Sequence, residues 1–388
     1  MMRFLSRSAI RPFRDVPLGF LTGALLVGAL GCGRPSTPTG STEPSSESRS
    51  ATVDRASLCR RIDAVLAHAR DGRLLDASVH GAWQVVHGIL AFGRDFPLAH
   101  DGEVSPALDF LLGGGRITGW ELRPASPGVR AIVEGGSTMA QGHPDQWLGY
   151  LSQCGLAPCG RGGVPLDARL VVNGRDLTVA DLLSQAQADI APGQEATWTL
   201  MAFSSYLPHE ATWKARNGRT WSIGDVVAME AAADIFSSAC GGAHRLYGLI
   251  TAVRQRMAAT GQSWGELDGP WAEAAGVIDD AVDRARRFQQ DDGSFSTHSF
   301  ERPGHSTDVF ATLGATGHVF EVVVMALDDE RLTERWVARA ADRLVTLLEQ
   351  TADIEVECGA LYHAAHGLAI YRERLCQDRN PASDRGAP

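Results

Sequence analysis

Three stretches of the chain set histidine in apolar surroundings: CGGAHRLYGL (Cys240–Leu249), GHVFEVVVMAL (Gly317–Leu327) and CGALYHAAHGL (Cys358–Leu368). Aligned as helices, they place His244, His318 and His363 at equivalent positions, with Trp198 of EATWTLMAFSSYL in the same place. Tyr247, Glu321 and His366 follow one helical turn later, a spacing that returns to the same face. A carboxylate in a run as apolar as that around Glu321 must be paired or must face a polar cavity. Imidazoles and a carboxylate in a partly dry cavity have shifted proton affinities. Glu321, His318, His244, His363 and His366 are therefore candidates for general acid–base catalysis, with Tyr247 beside them as a ligand contact.

Two other readings share these residues. Cys240-x3-His244 with Cys358-x4-His363 is a Cys2His2 set of usable metal-ligand spacing. Alternatively, the histidines hydrogen-bond to neighbouring helical turns and hold the packing. A second candidate group lies in GHPDQW, where His143 and Asp145 could join a cavity and Trp147 could stack on a sugar or ring. A helix started at Pro144, with Asp145 in its first turn, explains the same residues without a ligand. His209-Glu210, after Pro208, is a lesser candidate.

The elements that must position these groups are helices in pairs. NGRDLTVADLL from Asn173 and NGRTWSIGDVV from Asn217 match across an offset of 44 residues. In each, an Asn-Gly turn is followed by a helix N-cap with a carboxylate three residues on, Thr178 with Asp181 and Ser222 with Asp225. Each amphipathic helix then leads into a more apolar one, and the same alternation recurs in TVDRASLCRRIDAVLAHAR before HGAWQVVHGILAFGRDF. It recurs again in WAEAAGVIDDAVDRARRFQ before DVFATLGATGHVFEVVVMAL, and in ERWVARAADRLVTLLEQ before CGALYHAAHGLAIYRER. Such hairpins cannot bury their faces singly and must stack on neighbours. The expected architecture is all-α, an α/α toroid of repeated helical hairpins with amphipathic helices outside and apolar ones inside. A small mixed β insertion from about residue 96 to 167 interrupts the rhythm. It holds the helix-like VSPALDFLL, a β-hairpin in ITGWELRPASPGVRAIVEGG and the short helix of GHPDQWLGYLSQCG, and is expected on one face as a lid.

At RRFQQDDGSFS, Arg286–Ser296, the chain resembles the Gln/Trp repeat motif of the squalene-cyclase and protein-prenyltransferase superfamily, with Phe295 where Trp is usual. The resemblance implies an α/α toroid in which Gln290 caps a helix end and Phe295 packs on the next unit. It implies a central cavity that binds, and acts on, an isoprenoid-like ligand. Fold analogy with toroidal lyases and hydrolases adds a glycan as the other ligand class. The Asp-x-Asp-Asp acid of triterpene cyclases and the Asp-x-Cys zinc pair of prenyltransferases are absent. Asp279-Asp280-Ala-Val-Asp283 matches a diphosphate–metal motif. It lies on an outer helix next to Arg284, Arg286 and Arg287 and reads as a solvated face. No nucleophile elbow, phosphate loop or dinucleotide fingerprint occurs, so no cofactor is expected. A non-catalytic binding or scaffold protein is the alternative function.

The N-terminus reads as an export signal over residues 1–31: Arg3, Arg7, Arg11 and Arg14 precede the uncharged run Val16–Gly31, too short to span a membrane. Ala29-Leu30-Gly31-Cys32 resembles a bacterial lipobox, with Leu one place late, which implies lipidation of Cys32 and anchorage in the cell envelope facing the periplasm or exterior. Residues 33–50 are a Ser/Thr/Pro linker, residues 51–376 the helical domain and 377–388 a disordered tail. The formal charge is -10, and removing four Arg and one Asp with the signal leaves -13, which excludes nucleic acid as a partner. Six cysteines remain after Cys32. Cys59 with Cys376 and Cys154 with Cys159 are the disulfide candidates.

Overall fold

Helix starts are written into the local sequence. Thr178 and Ser222 open their helices through reciprocal caps. Asp181 Oδ2 accepts from the Thr178 amide at 2.8 Å, and Asp225 Oδ2 accepts from the Ser222 amide at 2.8 Å. Carboxylates cap others: Asp54 accepts from Ser57 N, Asp308 from Phe310 N, and Glu357 from the amides of Gly359 and Ala360. The structure, a computed structural model, describes residues 54–154, 163–236 and 238–376, all within the compact unit Ala51–Pro388. The export signal, Cys32, the linker, Cys159 and the 377–388 tail lie outside the described residues.

The chain is mainly helical. In order come α1 (Arg55–Ala67), α2 (Ala82–Phe92), α3 (Ala107–Leu112), α4 (Gln146–Leu151), α5 (Val179–Asp189), α6 (Thr197–Tyr206), α7 (Ile223–Ala231), α8 (Ala243–Thr260), α9 (Gly269–Phe288), α10 (Val309–Ala326), α11 (Arg335–Gln350) and α12 (Cys358–Leu375). The apolar helices pack in succession: α2 on α4, α4 on α6, α6 on α8, α8 on α10, α10 on α12, and α12 back on α2. Amphipathic α1, α7, α9 and α11 pack against these, and α5 against α4 and α6. Glycine permits the closest crossings, because a packed interior has no slack for an extra carbon. A Cβ on Gly248 of α8 would stand 2.8 Å from the Thr197 carbonyl, and one on Gly149 of α4 would stand 3.0 Å from Trp198. Among the described helices, α10 alone is long and apolar enough to cross a membrane, and most of it is buried in this core.

Strands are short and local. β1 (Leu75–Asp76), β2 (Pro97–His100) and β3 (Glu103–Pro106) form one small sheet, with β2 parallel to β1 and antiparallel to β3. β4 (Leu122–Pro124) and β5 (Val129–Ala131) form the hairpin expected in the insertion. Two further hairpins lie outside it: β6 (Arg169–Val172) with β7 (Arg175–Thr178), and β8 (Thr212–Lys214) with β9 (Thr220–Ser222). Asn173 and Gly174 both have positive φ, 51° and 74°. That is the conformation of a tight hairpin tip. The Asn-Gly turns thus close β-hairpins that feed directly into α5 and α7, and β structure is not confined to the insertion.

The insertion supplies one member of the helical succession. Its α4 fills the place between α2 and α6, and it starts at Gln146, one residue beyond Asp145, whose backbone is left-handed at φ 55°. The ends of the helical set are tied together. Cys59 on α1 is disulfide-bonded to Cys376 after α12, Arg61 pairs with Glu349 at 2.7 Å, and Arg372 pairs with Asp63. Cys154 is buried and has no disulfide partner among the described residues, and the pairing expected with Cys159 falls outside them.

Candidate functional site

Each of the six apolar helices contributes one aromatic or imidazole ring to a single closed circuit. Trp198 (α6) lies 5.0 Å from His244 (α8), His244 5.7 Å from His318 (α10), and His318 4.2 Å from His363 (α12), between ring centroids. From there His363 lies 5.0 Å from His87 (α2), His87 5.2 Å from Tyr150 (α4), and Tyr150 4.5 Å from Trp198. The circuit therefore brings together His244, His318 and His363, the aligned histidines of α8, α10 and α12. It adds His87 and Tyr150, which sequence reasoning missed. The repeat itself carried the signal, since HGAWQVVHGIL is another apolar helix with a mid-helix His followed by Gly.

Glu321, 1% exposed, is the hub one turn further along. Its Oε2 accepts from His363 Nδ1 at 2.7 Å and from the Tyr247 hydroxyl, and its Oε1 accepts from His366 Nδ1. Burial opposes the charge, but His363 and His366 outweigh it and hold the carboxyl below its ordinary range. Burial together with the neighbouring imidazoles keeps His363 neutral, down to about 4 despite Glu321. With Nδ1 donating to Glu321, His363 turns its other nitrogen away from the carboxylate as a lone pair. His366 also lines a cavity of about 610 Å³ with Arg70, Arg94, Gln153, Arg372 and Glu373.

At the head of α8 the backbone takes an uncommon path. Cys240, Gly241 and Gly242 are successively left-handed, with φ of 53°, 64° and 93°. Glycine is required at the last two for space as well as conformation. A Cβ on Gly241 would collide with Ser299 Oγ, and one on Gly242 would lie 2.7 Å from the Ile235 carbonyl. Cys240 is a strained non-glycine residue of the kind found at functional sites. It is exposed, yet its sulfur and one nitrogen each of His244 and His318 lie within 4.8 Å of one another. Although the residue as a whole is exposed, the packing around its sulfur opposes the thiolate; His244 and His318 overcome this and hold Cys240 down to about 3. His318 rises to about 9 against its own burial because of Cys240 and the Gly314 carbonyl, which accepts from its Nδ1 at 2.8 Å. His244 is 5% exposed, and apart from the Cys240 sulfur close by, neither of its nitrogens has a hydrogen-bond partner among the described residues. Each orphaned polar atom of that kind costs about 1–3 kcal/mol. Arg245, next on α8, is fixed by Glu230 at 2.9 Å, and Glu230 also accepts from Ala196 N and the Thr197 hydroxyl. That buried carboxylate on α7 sets α8 against the start of α6.

Comparison with known protein families, curated proteins and solved structures finds no match.

The other candidates fall in different places. His143 joins the cluster, 6.0 Å from His244, and pairs with Glu195 at 2.9 Å, which raises its proton affinity. Trp147 does not offer a stacking face: it is fully buried against Trp120, with centroids 5.5 Å apart. Asp145 accepts from the Thr199 hydroxyl at 2.6 Å, and burial pushes it up to about 6. The Cys2His2 set of Cys240, His244, Cys358 and His363 is not assembled. Cys358 is the first residue of α12 and buried, its thiol pushed up to about 11 by burial and Glu357, and His318 occupies the third position around Cys240 instead. Asp279, Asp280 and Asp283 are exposed on α9, with Asp280 paired to Arg284 at 2.6 Å. His209 contacts its neighbour Glu210 at 3.4 Å.

Proposed function

We propose that this chain is an enzyme of the bacterial cell envelope, anchored through a lipidated Cys32, whose α/α-toroidal domain performs acid–base chemistry on a glycan-type ligand. The observation that carries the reading is Glu321, a buried carboxylate shared by His363, His366 and Tyr247 beside further imidazoles. A carboxylate that orients a neutral imidazole leaves that imidazole's second nitrogen ready to take or give a proton. The toroid is supported by the succession of inner-helix contacts that returns from α12 to α2. Gln290 Nε2 donates to the Phe288 carbonyl at the end of α9 at 3.0 Å, and buried Phe295 stands edge-on to Trp336 of α11. Those two contacts are the roles that the Gln/Trp motif implies.

A polar ligand suits the surroundings better than an isoprenoid chain. The groups facing one another are imidazoles, a phenol, a thiol and a carboxylate, and charged side chains line the cavity at His366. Its volume of about 610 Å³ lies within the range of small-molecule sites.

The test incubates the purified full-length protein with cell-wall glycan strands and acidic polysaccharides. New reducing ends and the ultraviolet absorbance of unsaturated products are followed. Cleavage is expected, and to fall by roughly 100-fold or more in His363→Asn and Glu321→Gln variants of unchanged circular dichroism. Binding of the glycans without cleavage would replace the enzyme with a binding protein. A Cys32→Ser chain should leave the membrane fraction, and retention there would remove the anchor.

A further inference from the structure

We propose that Cys240, His244 and His318 bind a divalent transition-metal ion of the zinc class. The inference goes beyond acid–base catalysis and does not depend on it, since it concerns a bound ion at the rim of the same ring.

Three observations converge. First, one donor atom from each residue lies within 4.8 Å of the other two. Tetrahedral zinc with bonds of about 2.0–2.3 Å needs donors roughly 3.3–3.8 Å apart, so the trio closes on an ion by a movement of rotamer size. Secondly, His244 is buried and, the Cys240 sulfur aside, unpartnered at both nitrogens, while its ring stands among those of Trp198, Tyr247, His318 and His363. A histidine that only served packing would be hydrogen-bonded as His87 is. That ring accepts from the Tyr150 hydroxyl at 3.0 Å and donates to the Trp83 carbonyl at 2.6 Å. Thirdly, His318 donates Nδ1–H to the Gly314 carbonyl at 2.8 Å, which fixes the ring and leaves its other nitrogen to bind an ion in exchange for its proton. Histidine ligands to metals are held in this way by backbone carbonyls.

The donor chemistry selects the ion. One thiolate and two imidazoles are borderline-soft donors, suited to zinc and unsuited to magnesium or calcium, which take oxygen. The strained turn has a purpose on this reading. Cys240 precedes the first residue of α8 by three positions, and a regular helical start would not hold it where it is. The left-handed run through Gly242 places its sulfur beside the His244 and His318 rings.

The experiment takes full-length protein purified without chelator, measures its metal content by mass spectrometry, and then replaces the ion with cobalt. About one zinc per chain is expected, with a thiolate-to-cobalt charge-transfer band after exchange. Cys240→Ser should abolish that band, and His244→Gln and His318→Gln should lower the metal content about tenfold or more. Should a variant fail to fold, the wild-type protein still decides. Alkylation of Cys240, located by peptide mapping, should be slow in the loaded protein and fast after chelation. A wild-type chain that retains no zinc after saturation and desalting, takes up cobalt without a charge-transfer band, or alkylates equally fast before and after chelation overturns the site. Glycan cleavage by a chain that takes up no metal would remove the ion and keep the acid–base reading. Metal uptake without cleavage would do the reverse.

Discussion

The two halves of the ring use the same residue types to opposite ends. On the α2–α4–α6 side, His87 is 0% exposed and has both nitrogens engaged, and Tyr150 gives its hydroxyl to that imidazole. On the α8–α10–α12 side, His244 is nearly as deeply set and, the Cys240 sulfur aside, has no hydrogen-bond partner among the described residues, while His318 and His363 each turn one nitrogen away from the hydrogen bond that fixes the ring. Pairing, not burial, separates a histidine that holds helices together from one available for chemistry. The carboxylates repeat the contrast. Glu321 receives three donors and is held ionised, whereas Asp145, near the start of α4, accepts from the Thr199 hydroxyl and rises to about 6.

The largest effect expected from this contrast is at His87. Replacing it by Phe deletes two hydrogen bonds and strands the Tyr150 hydroxyl in the core, and denaturant unfolding should show a loss of about 2–3 kcal/mol. A loss below about 0.5 kcal/mol would mean that the satisfied side is no more structural than the other. The next effect is at Asp145. Its folded-state pKa is raised, so the folded chain keeps a proton that the unfolded chain releases, and stability falls as pH rises from about 4 to about 6 and then levels. The fall should be roughly 2 kcal/mol in urea unfolding compared across that window, and absent in Asp145→Asn, a residue that tolerates the left-handed backbone. An unchanged slope in the variant would assign the titration elsewhere. The smallest effect has the opposite sign. His244→Phe in chelator-treated protein should gain about 1 kcal/mol, because an orphaned imidazole is exchanged for a ring that needs no partner. Destabilisation instead would show that His244 is satisfied and structural.

Much of the arrangement was legible in residue patterns, and the losses have physical causes. The caps at Thr178 and Ser222 and the alternation of amphipathic with apolar helices are local, so they could be read directly. The polar positions of α8, α10 and α12 stood out because each interrupts a long apolar run. α4 was read as a short helix but not as one of the inner set, since it is six residues long and sits in an irregular stretch, and that role comes from packing between α2 and α6. Tyr150 was hidden with it. Cys358 looked like the partner of Cys240 because each precedes Gly and then His. The resemblance ends at the backbone: one is an ordinary first helical residue, the other sits in a left-handed turn that no spacing rule records. Likewise, the Asn-Gly pairs announced turns, but strands of three or four residues carry too little alternation to be seen beforehand.

The bridge between Cys59 and Cys376 spans a separation of 317 residues, nearly the whole helical domain. In effect it makes the domain a covalent loop. A single proteolytic nick in any hairpin between those cysteines releases no fragment, and neither end helix can peel away to start unravelling. Wherever proteases are met, a domain whose two ends are joined has a means of persistence that no individual helix contact supplies.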